Sequence, residues 1–286
     1  MKAAGLMTAL SILSGSALAG VSAEEAARLG RDLTPTGAEM AGNGSNNART
    51  KIPAWTGGYR WPGAPEEERR WPEKYPGIGD QNPLFYIDQS NLDEHRERLS
   101  AGQIALIETY ASFRLPIYAA NRSFAAPAFF NQATKRNATR AKLENFGESL
   151  VDAIIGVAFP LPQQAQEVIW NHKTRYRGQA VTRYNTQLAV QTNGTFTELE
   201  LQEDVLFTYN LPNARPEDLD NVMTFFLQLT TAPPRIAGQI LLVHETMDQL
   251  VDTRRAWLYN PGQRRVRRAP NVAYDNPGTG SDGLRT

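Results

Sequence analysis

Thr192-Asn193-Gly194-Thr195 lies between two stretches in which apolar residues recur at every second position, and this arrangement constrains the fold most. Asn-Gly is the strongest short hairpin signal, because both residues tolerate the left-handed backbone that a two-residue turn requires. Such a turn fixes the register. Leu188 is expected opposite Leu199, Thr186 opposite Leu201, Thr182 opposite Val205 and Ala180 opposite Phe207. The other face then sets Gln187 against Glu200, Asn185 against Gln202 and Arg183 against Asp204. One apolar and one polar face mark an antiparallel sheet with one side in water. A slip of one residue would invert both faces.

Two further strands are expected at 223–230 and 236–246, separated by Pro233-Pro234. After them comes Ala256-Trp-Leu-Tyr-Asn-Pro-Gly-Gln-Arg-Arg-Val-Arg-Arg-Ala-Pro270, an aromatic strand, a turn at Asn260-Pro261-Gly262 and a strand studded with arginines. Proline presets φ for the turn and glycine tolerates positive φ. Arginines would emerge on both faces of the second arm, so it belongs at a sheet edge or rim, or against acidic partners. A nucleic-acid patch is the alternative, but Lys+Arg 30 against Asp+Glu 30 and a pI of ≈ 6.9 speak against it. The expectation is that at least one of these arginines pairs with a carboxylate while the others rim the edge.

Ahead of this β-rich half, the chain reads as three segments. Lys2, the apolar run from Leu6 to Leu13 and Ala17-Leu18-Ala19 describe a secretory signal peptide over 1–19, cleaved near Ala19. A spanning helix would need about 20 apolar residues, and Thr8, Ser11, Ser14, Gly15 and Ser16 interrupt this one. Periplasmic export is therefore expected, with no transmembrane segment in the mature chain. The absence of cysteine excludes disulfides, thiol nucleophiles and thiolate metal sites. Residues 20–83 form an arm rich in Pro, Gly and aromatic residues, with Trp55, Tyr59, Trp61, Trp71 and Tyr75 expected to pack along a surface; the alternative is disorder. A short helix at 24–30 opens it.

Residues 84–286 would hold a helical lid and the sheet. Ser100-Ala-Gly-Gln103 is a capping box that starts one helix, with Ile104, Leu106, Ile107, Tyr110 and Ala111 as its apolar stripe. Asn137 is expected to cap a second helix that buries Ala141, Leu143 and Phe146. Pro160 and Pro162 would precede a third helix carrying Val168, Ile169 and Trp170 near its end.

Catalytic signatures are weak. His95, His172 and His244 are scattered, and His244 and Glu245 should face opposite ways on a strand, so no metal site is expected. Neither G-x-S-x-G nor a Walker or Rossmann glycine motif follows a strand. Glu198 and Glu200 fall on the polar sheet face, where nothing would drive their pKa values apart. The surplus of Phe207, Tyr209, Phe225, Phe226, Leu227, Ile240 and Leu242 suits either a packed core or a curved sheet enclosing an apolar cavity beneath helices.

Leu29-Gly-Arg-Asp-Leu-Thr-Pro-Thr-Gly-Ala-Glu-Met-Ala-Gly-Asn43, Ile52-Pro-Ala-Trp-Thr-Gly-Gly58, Phe159-Pro-Leu-Pro162, Ile169-Trp-Asn-His172 and Trp257–Pro270 occur in that order. Together they resemble a bacterial envelope family of DUF1329 type, named for outer-membrane lipoprotein sorting and similar at fold level to the carrier LolA and receptor LolB. The resemblance implies an α+β fold: an open antiparallel half-barrel whose concave face is covered by helices. It implies binding or carriage of a lipid, acyl chain or lipoprotein, beside an envelope export complex; from the weak catalytic signatures, neither enzymatic activity nor a cofactor is expected. The cavity lining would be Leu188, Leu199, Leu201, Phe207, Phe225, Leu227, Ile240, Leu242, Trp257 and Tyr259, with Arg264, Arg265, Arg267 and Arg268 as an anionic-headgroup rim. The alternatives are an envelope hydrolase working through carboxylates and a structural partner of an outer-membrane complex. Members of that family continue with further strands, so a chain truncated after Thr286 is the expectation, against a natural short form.

Overall fold

A computed structural model describes residues 20–59 and 82–269; the expected signal peptide, Trp61, Trp71, Tyr75 and the terminal loop lie outside these residues. The described residues fall into two compact units, one of 20–29, 35–37 and 127–269, the other of 30–34, 38–59 and 82–126.

The first unit begins with α1 (Ala23–Ala26), started by a reciprocal Ser22–Glu25 capping box. Helix α4 (Ala128–Arg140) buries Phe130, Ala133, Thr134, Asn137 and Ala138, one face at helical spacing. Two of those five are polar, and both are used. Thr134 Oγ1 donates to Phe130 O at 2.9 Å and accepts from Val157 N at 3.0 Å. Asn137 Nδ2 donates to the carbonyls of Ile155 and Val157 at 2.6 and 3.2 Å. Asn137 therefore sits near the end of a helix, not at the start of one as expected. Ala141 closes that helix, Leu143 lies in β3 (Lys142–Glu144), which pairs with β4 (Ser149–Val151), and Phe146 is fully exposed with φ 57°.

Helix α5 (Ala165–Thr174) buries Glu167, Trp170 and Thr174, while Val168 and Ile169 face solvent. The Trp170 indole donates to Gly147 O at 2.8 Å. Asn171 bonds Phe159 twice, accepting from its N–H at 2.8 Å and donating to its carbonyl at 2.6 Å. Gly37, at φ 98°, lies so close to Pro160 O that any Cβ would fall 1.7 Å from it, so only glycine fits there.

The rest of this unit is one open six-stranded antiparallel sheet in the order β10-β9-β8-β7-β6-β5. Its strands are β5 (Ala180–Val190), β6 (Phe196–Leu206), β7 (Val222–Ala232), β8 (Ile240–Thr246), β9 (Arg255–Asn260) and β10 (Arg265–Arg268). Both expected hairpins form; the expected strand 223–230 lies within β7, while of the expected 236–246 only Ile240–Thr246 is strand and 236–239 belong to the turn.

The register of the β5–β6 hairpin differs from expectation by one residue. Leu188 pairs with Glu198, Gln187 with Leu199, Asn185 with Leu201 and Arg183 with Glu203. Asn193 keeps a negative φ and only Gly194 (φ 83°) is left-handed, so the two-residue turn cannot form. Instead Gly194 N donates to Gln191 O at 3.0 Å and Gln191 N to Thr195 O at 2.8 Å, closing a three-residue loop. Asn193 Oδ1 accepts from Thr195 N at 3.0 Å, the use of asparagine in place of the left-handed conformer.

The slip has a chemical cause on β6. Its inward face reads Leu199, Leu201, Glu203, Val205, all buried, and a carboxylate there needs donors. The observed register places Arg183 and Asn185 on Glu203, whereas the expected one would have set Tyr184 opposite it. Gln228 Nε2, from the neighbouring strand β7, completes the set at 2.8 Å.

The second unit contains β1 (Phe85–Ile87) paired with β2 (Leu115–Ile117), α2 (Leu92–His95) and α3 (Ala101–Thr109). The Ser100–Gln103 capping box starts α3 as expected. Of the expected stripe only Ile107 is buried, packing with Ile87 and Leu92; Leu106, Tyr110 and Ala111 are exposed. The part of the arm in this unit is held by named bonds: Trp55 Nε1 donates to Phe124 O at 3.0 Å, and Trp55 N to Met40 O at 2.8 Å. Among the described residues no helix is long and apolar enough to cross a membrane.

Candidate functional site

Strand pairing sorts the sheet's side chains onto two faces. One face carries Leu199, Leu201, Glu203 and Val205 from β6, Gln228 and Thr230 from β7, Val243 from β8 and Ala256 from β9, all buried. The other face has three cross-strand rows through β7, β8 and β9. They run Phe225–His244–Arg255, Leu227–Leu242–Trp257 and Leu229–Ile240–Tyr259. None of these nine residues is buried, and none is fully exposed. This is a contiguous apolar surface of seven large side chains left half-open on a sheet whose other face holds the polar network.

The first row is a stack. The His244 ring lies 4.6 Å from Phe225 and 4.7 Å from Trp257 between centroids, edge-on or tilted to each. Burial pushes the His244 imidazole below its ordinary pKa, and the neighbouring Arg255 guanidinium adds to this, with Asp252 opposing. His244 and Glu245 do face opposite ways, Glu245 forming an ion pair with Arg254. Arg255 Nε lies 3.2 Å from Asp252 Oδ2 but out of hydrogen-bond alignment, and both Arg255 Nε and His244 Nδ1 are buried without a hydrogen-bond partner.

The ten residues expected to line a cavity divide. Phe225, Leu227, Ile240, Leu242, Trp257 and Tyr259 share the half-open face. Leu199 and Leu201 lie on the opposite, buried face, and Phe207 follows β6 as a buried residue under the Arg177 guanidinium, 4.3 Å away. Leu188 is half-exposed near the tip of the β5–β6 hairpin, far along the strand from the three rows. The one-residue slip is what separated Leu188 from Leu199. Leu229 and His244 were missed, although Leu229 continues the alternation of Phe225 and Leu227.

The arginine rim forms as an exposed edge strand. Arg265 and Arg267 lie on one face, Val266 and Arg268 on the other, and Arg264 (φ 50°) belongs to the turn. The turn is held by Asn260 Oδ1, which accepts from Gly262 N at 2.9 Å. Contrary to expectation, none of these four arginines forms an ion pair among the described residues. Nor do the described residues contain a cluster of three or more side chains suited to a metal ion.

A family defined as proteins of unknown function, DUF1329, matches residues 86–286. The chain belongs to this family. Uncharacterized protein PA3922 of Pseudomonas aeruginosa is 46% identical over 279 residues, 97% of this chain. The chain spans 60% of that relative's length. No solved structure matches.

Proposed function

We propose that this protein binds or carries hydrophobic ligands, such as a lipid, an acyl chain or the acyl groups of a lipoprotein, on the half-open sheet face. The observation that carries this reading is the block of Phe225, Leu227, Leu229, Ile240, Leu242, Trp257 and Tyr259, which is contiguous and only partly buried. Apolar patches of this kind on folded proteins mark sites for ligands or partners. An open antiparallel sheet with its free edges at β5 and β10 fits the LolA-like half-barrel arrangement. The leader-like sequence of 1–19 supports work in the periplasm, and the unpaired arginines of β10 suit anionic headgroups.

The test is binding of a fluorescent fatty-acid probe to the purified protein, with native mass spectrometry of material taken from an envelope extract. Leu227→Glu and Leu242→Glu place charges in the middle row and are expected to weaken the probe at least tenfold, roughly the loss of two buried side chains from contact. A protein that emerges without lipid and binds no probe rules this function out.

A further inference from the structure

We infer that the half-open face is built for an amphiphile with an acidic head, its chain along the apolar rows and its carboxylate between Arg255 and Arg268. The inference rests on the hydrophobic-ligand reading and names the ligand class for the same surface.

The face is not uniform at its borders. On the β6 side the rows run through Leu206, Asp204 and Gln202, cross-strand partners of Phe225, Leu227 and Leu229, and on to Ala180, Thr182 and Tyr184 of β5. On the β9–β10 side Arg255 ends the first row, and Arg268, the partner of Trp257, ends the second. Two guanidinium groups therefore bracket Trp257 at one border, while the opposite side carries a carboxylate. A polar head placed at random would see no such gradient; an anionic one is drawn to the arginine border and repelled from Asp204.

The donors at that border are only partly committed. Arg255 Nε is buried and faces the Asp252 carboxylate at 3.2 Å, an ion pair without a hydrogen bond, so the donors Arg255 offers are its terminal nitrogens, which form no hydrogen bond among the described residues. Arg268 is exposed and has no ion-pair partner among the described residues. A planar guanidinium offers five donors in a fork that matches a carboxylate. Arginines fixed by their neighbours normally spend those donors on the protein, as Arg215 does with two bonds of 2.9 Å to Asp218. The carbon chain then crosses the middle and third rows over Leu242, Leu227, Ile240 and Leu229. The ring contacts of His244 with Phe225 and with Trp257 tie the first row to the second as a rigid wall.

Oleate, oleyl alcohol and oleylamine share one chain and differ only in the head. Titrated calorimetrically into the purified protein from cyclodextrin, oleate is expected to bind about tenfold or more tightly than the alcohol, and the amine weakest. Arg255→Gln with Arg268→Gln should bring oleate to the level of the alcohol and leave the alcohol unchanged. Arg268→Gln alone, on an exposed edge that folding does not need, should give part of that loss. Equal affinity for all three heads, or oleate binding indifferent to both arginines, overturns the acidic-head inference while leaving the apolar face intact. Failure of all three to bind overturns the hydrophobic-ligand reading itself.

Discussion

Replacing Glu203 by alanine tests whether the buried polar network sets the register of the sheet. Glu203 accepts from Arg183, Asn185 and Gln228, and its side chain is 8% exposed against 52% for Arg183. The three losses are unequal. Arg183 and Asn185 lie on the outer strand and rehydrate, so each contributes about 0–1 kcal/mol. Gln228 is buried and would keep an unpaired amide, costing about 1–3 kcal/mol. The truncated side chain also leaves a small cavity, so Glu203→Ala should destabilise by about 2–4 kcal/mol. Gln228→Leu alone should cost about 1–3 kcal/mol, because it strips one bond from a buried carboxylate. Glu203→Ala combined with Gln228→Leu removes both partners of that bond and should lie well short of the summed singles, with a coupling of about 1–2 kcal/mol. Urea unfolding of the four proteins gives these values directly. Additivity within about 0.5 kcal/mol, or a Glu203→Ala loss below that, would refute the argument that this carboxylate holds β5 in place.

Three further outcomes can be checked on the same protein. His244 is held below its ordinary pKa, so the unfolded chain takes up its proton first as pH falls through about 6.5. Stability should drop below that pH and level off under the folded value; thermal melts of His244→Phe should lose this component between about pH 7 and 5. Tyr209 is buried with its phenol pushed well above the usual range by burial, and its hydroxyl has no hydrogen-bond partner. Tyr209→Phe should therefore leave stability unchanged or raise it by up to about 1 kcal/mol, and a loss above about 1 kcal/mol would reveal a partner for that hydroxyl. Reversing Arg265 and Arg267 to glutamate should shift stability by less than about 0.5 kcal/mol, since both are exposed and form no ion pair among the described residues. It should abolish adhesion to phosphatidylglycerol vesicles in a flotation assay, and unchanged adhesion excludes them from headgroup contact.

The elements of the sheet were legible because period-two alternation and Pro/Gly turns are local signals, and β5 to β10 all arose where they pointed. The register was not, because it depended on two facts outside that alternation. Asn193 declined the left-handed backbone, and Glu203 occupied an inward position that demanded donors from β5. Helix α4 escaped for a related reason. Its buried stripe contains Thr134 and Asn137, whose side chains satisfy the carbonyl or amide of Phe130, Ile155 and Val157, and an apolar-only stripe cannot reveal such residues. The ten expected lining residues were chosen by hydrophobicity, which places a residue in a sheet without saying which face it takes. Six reached the half-open face because they lie on β7, β8 and β9, whose pairing did not depend on the Asn193-Gly194 turn.

Three of the sequence segments that carry the family resemblance meet in the scaffold of the first unit. Gly37 lies against Pro160, and Phe159 is clamped by Asn171, so three short motifs distant in sequence close on one another around α5. Met40 and Trp55 do the same within the second unit. Of the quoted segments only the last, with Trp257 and Tyr259, reaches the half-open face. The sheet itself is divided in a way that a simple core does not require. Its buried face combines Leu199, Leu201, Val205, Val243 and Ala256 with a carboxylate, an amide and a threonine, polar groups that must be satisfied at a desolvation cost, while the opposite face keeps seven large apolar side chains only partly buried. On the hydrophobic-ligand reading, this partly buried face beside Arg255 and Arg268 would gain its remaining burial from the bound chain, and the oleate titration measures that gain directly.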